Sequence, residues 1–318
     1  MIKLKVGNPP HIRTEETVRD VMVDVLIALI PAVVAATVFF GLYALFLSVL
    51  GAVLGEIIEM FVMKVLRKDK NFVWDGSAAV TGVLLALNVG LGTPWWVFVI
   101  GLLFALLIAK HAFGGLGQNV FNPALAGRVF LLISFPTYMT GRVFNLPDAM
   151  STATPLTILK DTGSIQNVWK AGITYWDLFI GHVGGTLGET SALALLIGFA
   201  YLVYRKRIKI VIPITYVTTL FVFSLIGWLL KPDLGDPLFH ILSGGLMLGA
   251  LFMATDMVTS PMTPKGQFIF GLGLGGLTYL IRIFGAYPEG VSFSILIMNG
   301  LVPLIDMYSK PRYGEVRG

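Results

Sequence analysis

The chain has 318 residues, of which 56% are hydrophobic and 13% are charged, and its formal net charge is +5. Soluble domains carry roughly a quarter charged residues, so this composition excludes an ordinary soluble enzyme. The chain has no cysteine, which excludes disulfides, thiolate catalysis and cysteine-held iron–sulfur clusters within it. Its basic residues lie in short loops between apolar stretches, a pattern that indicates a membrane protein and predicts no nucleic-acid partner.

The apolar stretches predict an all-α integral membrane protein of about ten transmembrane helices. Hydropathy and turn signals place these helices at residues 22–40, 42–64, 76–90, 94–110, 119–134, 190–204, 208–230, 239–255, 267–284 and 291–308. The polar N-terminal residues show no cleavable signal peptide, so the first helix is expected to target the chain to the membrane. Segment 135–189 contains no convincing span.

The lysine and arginine positions predict the orientation in a prokaryotic cytoplasmic (inner) membrane. With the N-terminus inside, seventeen basic residues lie in inner loops and five in outer loops, and Arg128 lies within a span. Because basic loops stay on the cytoplasmic side, both termini are predicted to be cytoplasmic and segment 135–189 external.

The two halves of the chain share a weak internal pattern. Thr-Pro at 93–94 precedes an apolar run that ends at Phe-Gly at 113–114. Thr-Pro at 263–264 precedes a second run that ends at Phe-Gly at 284–285. The Thr–Phe separations are 20 and 21 residues. Each pair precedes the fourth span of a five-span half, and an odd number of spans makes a repeat insert in opposite orientations. This predicts two five-helix inverted repeats with broken helices, 1–134 and 190–318, around an external loop at 135–189. Chance is the alternative, because both dipeptides are common in membrane proteins.

A cluster of hydroxyl groups lies in the predicted external loop between Asp148 and Pro155. Ser151, Thr152 and Thr154 alternate with small residues, and the proline ends the cluster. No histidine or carboxylate stands beside a hydroxyl as an activating base, so the segment suits covalent attachment better than catalysis, and no catalytic residue is assigned. An ordinary turn or helix cap is the alternative.

The pattern Asp-x-x-Ser-Thr-Ala-Thr at 148–154 resembles the sequence at which a flavin transferase attaches FMN, through its phosphate, to a threonine hydroxyl. Stretches 114–124, 188–194, 254–261 and 299–306 look like parts of the same family. Together they are similar to the D subunits of Rnf complexes and to the related B subunits of sodium-pumping NADH:quinone reductases. The resemblance runs from the first span to the last.

This resemblance implies a membrane subunit of a redox-driven translocase, which couples ferredoxin:NAD⁺ electron transfer to movement of Na⁺ or H⁺ and is not catalytic alone. It implies that Thr154 carries covalent FMN. It also implies that Asp148, Ser151 and Ala153 are recognised by the flavin transferase. The implied partners are the lipid bilayer and the other membrane, iron–sulfur and flavin subunits of the complex.

A second, non-covalent flavin is implied near Asn119 and Asn122, and in the related B subunit it is riboflavin. Their spacing predicts both amides on one helix face, where they could bond the pyrimidine edge of a flavin. The alternative is that both amides satisfy backbone groups where helices break. Glu189 and Thr190, at the outer start of the sixth span, are expected to contact FMN or, in the case of Thr190, to cap that helix.

Four acids are predicted inside the membrane: Glu56, Glu59, Asp256 and Asp306. A carboxylate in hydrocarbon is costly and usually faces a cavity, a partner or an ion, so Asp306 and Asp256 are candidates for an ion path. Alternatively, all four are interfacial or paired with nearby lysines, which are Lys64, Lys265 and Lys310. Arg128 needs a carboxylate or a carbonyl from a broken helix as its partner.

Two other functions are compatible with the hydropathy. Inverted repeats with broken helices also build channels and transporters, so a stand-alone channel or transporter for a small solute is the alternative. A purely structural scaffold is a weaker alternative function. The four histidines show no metal-ligand spacing, and no metal site is predicted.

Overall fold

The structure is a computed structural model that describes residues 16–69, 72–139, 143–145, 150–189 and 191–309. These residues form fifteen helices and one antiparallel strand pair. The helices are α1 (Val18–Phe40), α2 (Leu42–Leu66), α3 (Ser77–Leu87), α4 (Trp95–His111), α5 (Pro123–Ser134), α6 (Pro136–Met139), α7 (Pro155–Thr162), α8 (Ile165–Lys170), α9 (Tyr175–Ile180), α10 (Ala192–Tyr204), α11 (Val211–Leu230), α12 (Pro237–Leu242), α13 (Leu246–Met253), α14 (Pro264–Phe284) and α15 (Val291–Ser309). The strands are β1 (Val143–Asn145) and β2 (Met150–Thr152).

Within the described residues, five helices are long and apolar enough to cross a bilayer, namely α1, α2, α11, α14 and α15. The segment that contains α12 and α13 passes the same test as one span bent by 45°. The shorter apolar helices α3, α4, α5 and α10 occupy the remaining predicted spans. The predicted all-α membrane fold is therefore confirmed, with the strand pair as a small addition outside the spans.

Two predicted spans differ from the observed helices. The span predicted at 119–134 is helical only from Pro123, since the Asn122 side chain caps the helix by accepting from the Leu125 N–H. The span predicted at 239–255 is interrupted between α12 and α13, where Gly244 has φ 68°. Glycine adopts this left-handed conformation without the penalty that a side chain would impose.

The short helices leave polar backbone inside the bundle. Helix α3 has 11 residues, so it is about 16 Å long, whereas the hydrocarbon core is about 30 Å thick. Non-helical backbone at membrane depth is tolerated only where protein buries it or where it lines a cavity. At the end of α3, Asn88 donates from Nδ2 to the Leu84 carbonyl at 2.7 Å and is 1% exposed. The breaks thus create the polar interior that a membrane site needs.

Helices α2 and α3 meet at two glycines. A Cβ placed on Gly82 would lie 2.0 Å from the backbone oxygen of Gly51, and one placed on Gly51 would lie 2.5 Å from the oxygen of Gly82. No flexible side chain can move away at this contact, because both neighbours are backbone. Small residues therefore set the distance between these helices.

We expect Gly82→Ala to destabilise the protein by about 3 kcal/mol, the upper end of the range for overpacking, because α2 and α3 must separate. Thermal unfolding of the purified protein in detergent would measure this loss. The matched control is Gly90→Ala, since a Cβ at Gly90 meets nothing within 4 Å. Equal unfolding temperatures for the two variants would contradict the close contact.

The described parts of segment 135–189 pack against α12 and the α14–α15 loop. The strands pair with Phe144 opposite Ser151, and α7, α8 and α9 follow the second strand. Leu156, Val168 and Phe239 belong to a small apolar cluster between this segment and α12. Lys160 donates from Nζ to the carbonyls of Gly285 and Tyr287, which attaches α7 to the α14–α15 loop.

Residues from four segments predicted to lie toward the inner side meet at one cavity. Met22 of α1, Lys110 of α4, Arg207 after α10 and Asp256 after α13 line it. The segment after α9 meets the start of α7 at a different cavity, which Thr154 and Gly184 line.

Candidate functional site

Thr154 lies at a small cavity at the predicted outer end. The cavity has a volume of about 10 Å³, and its lining includes Glu189, Ser243 and Gly244. Thr154 is half-buried and caps α7, accepting a hydrogen bond from the Thr157 N–H at 3.2 Å. Its Oγ1 is also 2.8 Å from the Thr157 hydroxyl. The structure thus brings Thr154 and Glu189 together although 35 positions separate them in the sequence.

Of the other four residues expected around Thr154, the structure describes two. Ala153 is exposed, and Ser151 lies in β2. Asp148 and Thr190 lie outside the described residues. The expected capping role of Thr190 was wrong, because Ser191 caps α10 by accepting from the Ala194 N–H at 3.3 Å.

Arg128 is the centre of a buried charged cluster beside this cavity. Its Nη2 donates to Glu189 Oε1 at 2.9 Å and to Glu289 Oε2. Its Nη1 donates to Asn88 Oδ1 at 2.9 Å and to Ser292 Oγ at 3.0 Å. Of the partners that the sequence left open for Arg128, the structure selects carboxylates. Sequence reasoning missed Glu289, and the available signal was a lone acid in the short loop before the last span.

A second guanidinium stands at the break between α12 and α13. Arg282 is 5% exposed and donates to the carbonyls of His240 and Ser243, at the end of α12. A cation is favourable there because the carbonyls at a helix C-terminus are partly negative. A Cβ on Gly244 would lie 3.4 Å from Arg282 Nη2 and 3.8 Å from Glu289 Cγ. Both are ordinary contact distances, whereas Leu156 Cδ1 would lie only 2.6 Å away, so the glycine leaves room for Leu156 of α7 at the break.

A larger cavity lies at the predicted inner end. It has a volume of about 90 Å³, and both Asn119 and Asn122 line it. Asn122 Nδ2 donates to the Met253 carbonyl at 3.2 Å, and its Oδ1 caps α5. Asn119 Nδ2 donates to the Phe121 carbonyl at 3.2 Å, whereas its Oδ1 has no hydrogen-bond partner among the described residues.

The prediction that these asparagines share a helix face was wrong. Asn119 lies in the loop before α5, and Asn122 is the capping residue. Pro123 fixes the start of the helix, so the residues before it are not helical. The two amides nevertheless line one cavity, and each also satisfies a backbone carbonyl.

Helix α13 connects the two cavities. Gly244, just before it, lines the outer cavity, and Phe252, near its end, lines the inner one. The turns at 249–253 are π-helical, which is frequent at functional sites.

Buried Lys110 holds the membrane-embedded Glu59. Their Nζ–Oε1 distance is 2.5 Å, and Lys110 also donates to Ser77 Oγ at 2.6 Å. The suggested pairing of Glu59 with Lys64 was wrong, because Lys64 is exposed at the end of α2 and Lys110 reaches inward from α4. Glu56 Oε1 accepts from the Ala79 N–H at 2.9 Å, near the start of α3.

The two acids proposed for an ion path lie near one loop. Asp256 accepts from Thr259 Oγ1 at 2.9 Å and from the Val258 N–H at 3.3 Å. Asp306 accepts from the Met262 N–H at 3.2 Å and is 9% exposed. Within the described ranges, neither forms an ion pair with Lys265, and Lys310 lies outside those ranges.

Bilayer-length helices, broken helices and internal cavities lined partly by polar side chains define a multi-pass membrane protein. The sequence model of the NQR2, RnfD, RnfE family matches residues 5–314, and the chain belongs to this family.

Three relatives illustrate this membership. The D subunit of the Na⁺-translocating ferredoxin:NAD⁺ oxidoreductase complex of Acetobacterium woodii is 47% identical, over 99% of this chain and 97% of that protein. The D subunit of the proton-translocating ferredoxin:NAD⁺ oxidoreductase complex of Clostridium ljungdahlii is 44% identical, over 98% and 96%. The D subunit of an ion-translocating oxidoreductase complex of Salmonella paratyphi A is 38% identical, over 88% and 90%. The resemblance inferred from the motifs is thereby confirmed.

Proposed function

We propose that this chain is the D subunit of an ion-translocating ferredoxin:NAD⁺ oxidoreductase complex and carries FMN on Thr154. The similarity to the two ferredoxin:NAD⁺ relatives along nearly the whole chain supports the complex. One observation carries the flavin: a half-buried threonine, within a sequence that resembles a flavin-attachment site, lines a cavity together with Glu189. The complex is a translocase, and this chain contributes to it without catalysing a reaction alone.

The outer cavity has a volume of about 10 Å³, room for about one water, so FMN on Thr154 would extend beyond it. Gly184, Gly185 and Gly244 contribute to its lining, so backbone can approach a bound group closely. The Thr154 hydroxyl, which caps α7, would carry the phosphate. Bound FMN would supply one- and two-electron redox chemistry, and the protein would supply position and electrostatics.

We also propose riboflavin in the inner cavity. Its lining is mostly apolar with a few polar side chains, which is the usual composition of a small-molecule site. The unpartnered Oδ1 of Asn119 offers an acceptor to a flavin N–H. Arg207, at the cavity, is bound to Asp24 at 2.6 Å and to Glu16 at 2.8 Å. With that cation already neutralised, a flavin without phosphate fits better than FMN.

The remaining features follow from this assignment. A chain without cysteine holds no iron–sulfur cluster on thiolates, so electrons must arrive from and leave to iron–sulfur or flavin groups of other subunits. A flavin transferase would act on Thr154. We place the chain in the prokaryotic inner membrane, with both termini cytoplasmic and segment 135–189 external. The bias of lysines and arginines supports this orientation.

Two matching features support the proposed inverted repeat. In each half, a glycine with positive φ precedes a helix of the third span: Gly76 at 81° before α3, and Gly244 at 68° before α13. A basic residue near the end of the fourth span then reaches toward that position, Lys110 in one half and Arg282 in the other.

Flavin fluorescence of the denatured chain on a gel tests the proposal. We expect a fluorescent band for protein made in its native host, because a phosphoester bond survives denaturation. A stand-alone channel needs no covalent flavin, so a dark band would favour the transporter and would overturn the flavin assignment. Intact mass would identify the FMN increment.

We expect Asp306→Asn to slow ion transport while the flavin content stays unchanged, because the carboxylate lies near the end of α15 and does not line the cavity that contains Thr154. Transport by vesicles containing the complex would measure this effect. Asp161→Asn, an exposed acid on α7, is the control and should transport ions at the normal rate. Unchanged transport by the Asp306 variant would remove this residue from the ion path.

A further inference from the structure

We propose that a groove beside α2 binds one anionic phospholipid of the surrounding bilayer. The lipid phosphate binds Lys64 and Arg19, and one acyl chain lies along Ile57 and Met60. This inference rests on the membrane fold of the chain and does not depend on either proposed flavin.

The groove lies between the C-terminal half of α2 and the segment just before α3. It has a volume of about 390 Å³, whereas the two cavities described above have about 90 and 10 Å³. Glu56, Met60 and Lys64 recur every four positions, so they lie on one face of α2 and the groove runs along the helix. The other lining residues are Ile57, Phe72 and Trp74.

The middle of the groove is apolar and open. Ile57 and Met60 are exposed on α2, which is long and apolar enough to cross a bilayer. An acyl chain is the apolar partner that a bilayer offers to such a surface. Trp74 is 39% exposed, and tryptophan is enriched at the boundary between acyl chains and headgroups. Trp74 therefore marks the level at which a headgroup would lie.

Two cations stand at this headgroup level. Lys64 is exposed near the end of α2, and the Arg19 guanidinium lies 4.6 Å from the centre of the Trp74 ring. Within the part of the chain that the structure describes, neither cation forms an ion pair. By contrast, Arg67 donates to two backbone carbonyls. Basic pockets between membrane helices bind phospholipid headgroups, so the two free cations match a lipid phosphate.

Glu56, the acid in the described lining, lies away from this phosphate. It precedes Lys64 by eight positions, which places it about 12 Å further along α2 toward the middle of the helix. Its Oε1 also accepts from the Ala79 N–H at 2.9 Å, which holds the carboxylate against α3. The negative charge in the groove therefore does not oppose an anionic headgroup beside Lys64.

Native mass spectrometry of the purified complex tests the site, because the released chain keeps a bound lipid as added mass. We expect the wild type to carry one phosphatidylglycerol per chain. Lys64→Gln and Arg19→Gln should each weaken its binding about fivefold, which corresponds to roughly 1 kcal/mol per basic side chain. Lys265→Gln is the control: it removes an exposed lysine at the start of α14 and should bind the lipid as the wild type does.

Phosphatidylethanolamine separates charge from apolar contact, since it has the same acyl chains but no net charge. We expect it to bind the wild type more weakly than phosphatidylglycerol. Equal affinities for the two lipids, or unchanged phosphatidylglycerol binding by the double variant Arg19→Gln, Lys64→Gln, would overturn the site. A chain that lacks covalent flavin but binds the lipid would leave this inference standing.

Met60→Cys tests whether a neighbouring protein covers the groove instead. The chain has no other cysteine, so a thiol-directed photo-cross-linker reports on this position, and the wild type is the control. We expect Met60→Cys to form no cross-link to another subunit in the complex. A cross-link that requires Met60→Cys would show that protein occupies the groove, and the lipid site would be wrong.

Discussion

Thr154→Ala should abolish covalent flavin on the chain completely, because alanine has no hydroxyl to carry a phosphate. The neighbouring hydroxyls do not replace it: Thr157 lies inside the first turn of α7, and Ser151 belongs to β2. Fluorescence of the denatured chain and intact mass would both report the loss. The protein should still fold, since losing a helix cap costs only about 1 kcal/mol.

Thr157→Ala is the matched control for this experiment. It removes the hydroxyl 2.8 Å from Thr154 Oγ1 but leaves the backbone N–H that Thr154 caps. We expect its flavin content to remain normal, and Ser151→Ala to reduce flavin at most. An FMN mass increment that persists on the Thr154 variant would show that another residue carries the cofactor.

Lys110→Met should destabilise the folded protein by about 3–5 kcal/mol, because it leaves the Glu59 carboxylate buried without its cation. Both side chains are nearly inaccessible, at 2% and 4% exposed. Thermal or denaturant unfolding in detergent would measure the loss. Since Lys110 also holds Ser77, the start of α3 should loosen at the same time.

The double variant Lys110→Met, Glu59→Gln separates charge from packing. Removing both charges should recover most of the lost stability, since a neutral amide is far cheaper to bury than an ion. Lys64→Met is the control and should be close to wild type, because Lys64 is exposed. If the double variant is no more stable than Lys110→Met, the loss comes from packing and not from the unpaired carboxylate.

Hydropathy located the apolar helices well because burial in lipid depends on local composition. It located their ends less well. The start of α5 depends on the capping of Asn122 ahead of Pro123, and the break after α12 depends on the conformation of Gly244. Such breaks are stabilised by partners from elsewhere in the chain, for example the Arg282 side chain at the end of α12.

The candidate sites show the same limit. Resemblance identified Thr154, Glu189 and the two asparagines, and local chemistry indicated that Arg128 needs a partner. The partner Glu289 is 161 positions away, and Lys110 is 51 positions from Glu59. No local pattern encodes such pairs, because folding alone brings these residues together. The helical spacing argument failed for Asn119 and Asn122, since it assumed a helix where the chain makes a loop.

The position of α13 between the two cavities has an energetic consequence when an electrical potential exists across the membrane. Gly244 and Phe252 are eight positions apart, so these two lining residues are about 12 Å apart along the helix axis. This is about two fifths of a hydrocarbon core of about 30 Å. One elementary charge that crosses the whole core changes energy by about 2.3 kcal/mol per 100 mV. An electron that moves this distance between the cavities would therefore work with or against the membrane potential by about 0.9 kcal/mol per 100 mV.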